Sequence, residues 1–170
     1  MKGLLGPGGV TAVAVLVVGC LVPVTGAGAA ELPNCRNVDL VASYRATDSG
    51  AGHRYGRIVL RNVSDHACWT GGYGGLSYVG HGDGTQIGAA ADRTPGKVVT
   101  VVLDPGERAR SAVDETVAGL YPRKKCRPRH VDGFRVYVPN ATKSQFVRHR
   151  TIGCANARVH LIAHKPYHHA

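Results

Sequence analysis

No catalytic or cofactor signature is written into this sequence. It contains no Gly-x-Ser-x-Gly, no His-Glu-x-x-His and no Gly-x-Gly-x-x-Gly. The nucleophile elbow, the zincin helix and the dinucleotide-binding turn are therefore excluded as motifs. No Cys-x-x-Cys pair occurs, which argues against a structural zinc site. Acidic residues are scarce, with 11 Asp+Glu against 21 Lys+Arg and a formal net charge of +10. That imbalance favours attraction to anionic partners and says nothing about fold. Aromatics make up only 6% of the chain and are not interleaved with its densest basic run. Stacking recognition of single-stranded nucleic acid is thus not indicated, and no dedicated nucleic-acid motif is present. After the first 30 residues no apolar stretch approaches the roughly 20 residues that a spanning helix needs.

The N-terminus does carry a pattern. Met1-Lys2 is a short positive region, Val10 to Val22 is apolar, Pro23 and Gly26 break the run, and Ala27-Gly28-Ala29-Ala30 supplies small residues. Residues 1–30 therefore read as a cleaved signal peptide, and secretion is expected. Val17-Val18-Gly19-Cys20 loosely matches a lipobox. The alternative is thus a lipid anchor at Cys20, holding the same domain on the outer membrane face. Lys2 is the only charge in this segment, so the remainder keeps nearly all of the positive excess. Gly, Ala, Arg and Val are abundant, as in proteins of GC-rich bacterial genomes.

Four cysteines follow: Cys35, Cys68, Cys126 and Cys154. An even count in an exported chain reads as disulfides. Three connectivities exist. The sequential pairs Cys35–Cys68 and Cys126–Cys154 are the expectation, each closing a loop worth about 3–4 kcal/mol.

Apolar alternation marks strands at 38–46, 55–63, 71–79, 86–91, 97–103, 108–113, 131–138, 145–148 and 157–163. Val98, Val99, Val101 and Val102 make 97–103 the clearest of these, expected to be buried on both faces. Turn clusters separate them at 47–54, 62–66, 81–84, 93–96 and 104–107. A turn or two of helix is expected at 114–121, and residues 118–130 read as a basic loop. Seven to nine short strands point to a single all-β sandwich over 31–163. The tail 164–170, with His164, His168 and His169, is expected to be flexible.

Several runs carry a family resemblance. They are Cys35, then Asn62-Val63-Ser64, Cys68-Trp69-Thr70-Gly71-Gly72-Tyr73 and Leu103-Asp104-Pro105-Gly106-Glu107-Arg108-Ala109. Cys126, Phe134-Arg135-Val136-Tyr137-Val138-Pro139 and Cys154 complete the order. Together they resemble the actinobacterial exported domain-of-unknown-function family 4232, over about residues 35–163. One departure is Gly74, where that family often has Pro. The resemblance implies an immunoglobulin-like β-sandwich and an exported location, and it implies no activity and no catalytic residues.

Candidate chemistry is thin. Arg123, Lys124, Lys125, Arg127 and Arg129 form the densest charge run, and Arg148 and Arg150 lie shortly before Cys154. A Cys126–Cys154 bridge is expected to draw both runs into one basic patch, an anion-binding surface. The competing reading is a solvated, solubilising face. Trp69, beside Cys68, is expected in the core. Asp104 and Glu107 flank a Pro-Gly turn and lack a partner for acid–base work. The expectation is therefore a monomeric, non-catalytic envelope or extracellular binding module with no cofactor and no metal. Its expected partner is an anionic cell-wall polymer or an envelope protein. A structural envelope domain and an envelope-acting hydrolase are the alternatives.

Overall fold

Alternating burial builds the strands. In Arg108–Thr116, Ala109, Ser111, Val113 and Glu115 point inward while Arg108, Arg110 and Ala112 face out, the two-residue period of an extended chain. The computed structural model describes Gly3 and residues 31–170. The expected signal segment and the Cys20 alternative lie outside the described residues. Twelve strands run through residues 31–170: β1 (Leu40–Gly50), β2 (His53–Asn62), β3 (Cys68–Gly71), β4 (Gly75–Gly80), β5 (Thr85–Ala90), β6 (Asp92–Arg93), β7 (Thr100–Leu103), β8 (Arg108–Thr116), β9 (Pro128–Tyr137), β10 (Ser144–Cys154), β11 (Ile162–His164) and β12 (His168–His169). A 3-10 turn at Ala118–Leu120 and a one-turn helix, α1 (Arg123–Cys126), interrupt them.

One sheet runs β1-β2-β8-β11-β6 with β12 also on β8, a second runs β10-β9-β4-β5, and β3 pairs with β7. The two larger sheets face each other. Tyr44 of β1 lies 5.2 Å, ring to ring, from Phe134 of β9, and Tyr78 of β4 donates to Glu115 of β8. Leu40, Ile58, Leu60, Leu103, Phe134, Val136 and Tyr167 fill the space between them. The architecture is thus an all-β sandwich, closed by disulfides Cys35–Cys68 and Cys126–Cys154. Both sequential pairs form as expected. No helix among the described residues is long and apolar enough to cross a membrane.

Several expectations are corrected. The cluster 47–54 is mostly strand, because β1 runs to Gly50 and only Ala51 and Gly52 turn. Both take positive φ (49° and 80°), the form a two-residue hairpin needs to match strand twist. The helix expected at 114–121 shrinks to the 3-10 turn, since Asp114 to Thr116 continue β8. The run 97–103 forms strand only at Thr100–Leu103 and alternates. Val101 and Leu103 are buried while Val102 is 38% exposed, because β7 turns one face only to the core, and Val98 lies outside the strand. At 157–163 only Ile162 and Ala163 are in a strand. The tail 164–170 is built into the sheet. Lys165 N donates to Ala112 O, Tyr167 N to Gly72 O and Ala170 N to Arg108 O. Tyr167 is 2% exposed, so its buried ring anchors the end of the chain. At Gly74 a Cβ would overlap the Tyr137 carbonyl oxygen, a close backbone approach that glycine permits.

Candidate functional site

The basic run folds into a rigid platform. Pro122 precedes α1, and Arg127 ends it in the left-handed region at φ 53°, the usual conformation just beyond a helix end. Cys126 is fully buried by its bridge to Cys154. Ala155 N donates to Arg127 O, Asn156 N to Cys126 O, and Asn156 Nδ2 to Lys125 O. Arg123, Lys124, Lys125, Arg127 and Arg129 are all exposed around this clamp. Lys125 Nζ lies over the Tyr121 ring, 5.7 Å from its centroid.

Arg148 and Arg150 sit on the paired strand of the same hairpin. Arg129 pairs with Gly153, whereas Arg148 pairs with Gly133, four residues and about 13 Å further along the strand. Arg148 and Arg150 line a groove of about 560 Å³ that also holds Asp83, Asp132 and exposed Phe146. Asp132 Oδ2 accepts from Gly82 N, and Asp83 Oδ1 from Thr85 N. Arg123 lines a different cleft of about 540 Å³. Arg148 and Arg150 thus line a groove other than the one that takes Arg123, and of the two only Arg148 is placed by its register well along the hairpin from the bridged end. Among the described residues, Arg36–Asp39 is the one arginine or lysine paired with a carboxylate. All seven cations of the two runs are without such a partner.

The sequence reading missed the most polar feature of the core. Glu115, with 0% exposure, accepts from Tyr44 Oη at 2.7 Å, from Tyr78 Oη, and from His149 Nε2 at 2.9 Å. His149 stacks on Phe134 at 4.7 Å and 2°. Burial pushes the Glu115 carboxyl up, but these hydrogen bonds outweigh it and hold the group below the usual carboxylate range. Sealed between the sheets, the carboxylate reaches no solute. Inward parity along β8 was the signal, since Ala109, Ser111 and Val113 place Glu115 on the core face.

Other candidates resolve into structure. Asp104 N donates to Glu107 Oε2 and Glu107 N to Asp104 O, closing the turn. Trp69 is only half-buried, because β3 turns Cys68 and Thr70 inward and Trp69 the other way. Tyr73 Oη donates to Thr94 O at 2.6 Å. His164 is buried and burial lowers its pKa to about 4, with Arg93 adding to the effect. No group of three or more His, Cys, Asp or Glu side chains that could hold a metal ion exists among the described residues.

A family model described as Domain of unknown function (DUF4232) matches residues 35–163. The chain belongs to this family. The matched span opens at Cys35 of the first disulfide and closes on β11, so all four bridged cysteines of this DUF4232 domain lie within it. No curated protein and no solved structure matches the chain.

Proposed function

We propose that this DUF4232 domain is an exported, non-catalytic binding module that holds an anionic polymer of the cell envelope. One observation carries the reading: five exposed cations surround the Cys126–Cys154 clamp, with no carboxylate paired to any of them among the described residues. Clustered cations of this kind raise the local potential and gain counterion-release entropy on meeting a polyanion. Rigid backbone lowers the ordering cost of that encounter. The two disulfides support an oxidising compartment, and residues 1–30 support export.

The test is capture from cell-wall and culture-medium fractions. The wild-type protein is compared with a variant in which Arg123, Lys124, Lys125, Arg127 and Arg129 are each changed to Glu. Capture of a polyanion by the wild type, lost in the variant, is the expected result. Equal capture by both would contradict the reading and favour a structural role. Turnover of the captured polymer that persists through purification would favour the hydrolase.

A further inference from the structure

Two residues that carry a buried, unpaired polar atom line one cleft. Among the described residues three buried side-chain polar atoms have no hydrogen-bond partner: Arg54 Nε, Thr70 Oγ1 and Thr151 Oγ1. Arg54 and Thr151 both line the cleft of about 540 Å³ that also takes Arg123. Unpaired buried polar groups are costly and call for an explanation.

The fold places both residues there. Arg54 sits near the start of β2 and pairs in register with Glu115, so it lies on the core-facing side at the open end of the sandwich. Glu115 faces it from β8, with its oxygens accepting from Tyr44, Tyr78 and His149, and no ion pair joins the two. On β10 a register shift between Arg148 and Thr151 re-aims the strand, as bulges do, and Thr151 and Ile152 both border the cleft. No Asp or Glu lines it. Neither Arg54 nor Arg123 has an ion-pair partner among the described residues. The rest of the wall is mostly apolar, including Val117, Tyr121 and Ile152.

We propose that this cleft is a binding site for an organic anion, with a phosphate or carboxylate oxygen held by Arg54, Arg123 and Thr151 and an apolar body against Val117, Tyr121 and Ile152. Guanidinium groups suit both oxyanions because their N–H donors form a planar fork. The hydroxyl of Thr151 supplies one more donor. Two cations in a cleft wall that holds no carboxylate select charge, and the apolar wall selects a body larger than a bare ion. The site deepens the preceding reading, because Arg123 belongs to both surfaces. It differs in taking one discrete group rather than a polymer's charge density.

The test titrates the protein with 1-naphthyl phosphate, 1-naphthoate, inorganic phosphate and neutral 1-naphthol, followed by NMR of amides and arginine Nε–H groups. The expected result is saturable binding of at least one naphthyl anion, about tenfold or more tighter than inorganic phosphate or naphthol. The Arg54 Nε–H and the Thr151 amide should shift. Which naphthyl anion binds more tightly tells phosphate from carboxylate. Thr151→Val, which preserves shape, should weaken binding about tenfold. Arg54→Met should abolish it, with folding of both variants checked by circular dichroism.

Absence of saturable binding by both naphthyl anions, or unchanged affinity in Thr151→Val, would overturn the site. A wild-type protein that captures envelope polyanion but neither naphthyl anion would remove the cleft and leave the polymer reading standing. The reverse pattern would establish the cleft and remove the polymer.

Discussion

Two buried titratable residues set how this domain responds to acid. Glu115 is held below the usual carboxylate range by donors from three side chains. A carboxyl depressed on folding stabilises above its unfolded pKa, and that stability is lost as pH falls through the folded one. Tyr78→Phe removes one donor and should cost about 1.5–3 kcal/mol in urea unfolding at neutral pH. Glu115→Ala strands three polar partners and should cost about 3 kcal/mol or more. His164 acts over a higher window. It is 4% exposed, and burial lowers its pKa to about 4. The unfolded chain, with a His pKa of about 6.5, therefore binds the proton first, and stability is lost as pH drops from about 6.5 to about 4. Urea midpoints at pH 7, 5.5 and 4.5 should fall progressively. His164→Gln should flatten that slope, and an unchanged slope in the variant would contradict this assignment.

At the level of elements, short backbone rules decide what was legible. Strand existence could be read wherever period-two alternation ran unbroken, as in β8 and β9. Strand ends could not. The β1–β2 hairpin extends through Asp48, Ser49 and Gly50, residues that read as turn formers, because pairing with β2 satisfies their backbone. The hairpin places Ala51 at φ 49°, a conformation costing about 1 kcal/mol that glycine avoids. Ala51→Gly should therefore raise stability by about 0.5–1 kcal/mol in denaturant unfolding. Exposed strand edges were invisible in the sequence, and one is covered by a distant side chain. Gln145 Oε1 accepts from Ala42 N at 2.8 Å, while its Nε2 donates to Leu40 O at 2.7 Å. Three-dimensional adjacency of β1 and β10 creates this contact across a sequence separation of 103 between Ala42 and Gln145. Gly88 is also set by packing. It has φ +72°, and a Cβ there would overlap the Cys154 carbonyl oxygen. Gly88→Ala should cost about 2 kcal/mol or more by thermal or chemical unfolding.

Across the whole molecule, two cross-links and one charged hairpin organise everything else. Cys35–Cys68 ties the segment before β1 to β3, and Cys126–Cys154 ties α1 to the end of β10. Both pairs could be anticipated from the cysteine order. The placement of Arg148 could not, since only the register of β9 with β10 shows that it lies away from the bridge. The buried tail was hidden for a similar reason: it read as flexible, and only the fold gives Lys165, His168 and Ala170 partners on β8 and Tyr167 a partner at Gly72. The Arg54–Thr151 cleft depends on a bulge and has no sequence signature. Replacing Cys126 and Cys154 together with Ala should cost about 3 kcal/mol. It should also weaken polyanion retention, because the platform under Arg123 to Arg129 loses its clamp. Polyanion binding itself is read most directly from the salt dependence of affinity for poly(glycerol phosphate), measured by titration calorimetry from about 50 mM salt upward. The wild-type protein should bind at low salt and weaken steeply as salt rises, and the five-residue charge reversal should remove both the binding and the slope. Absence of wild-type binding at about 50 mM salt, or an identical slope in the reversed variant, would contradict the account.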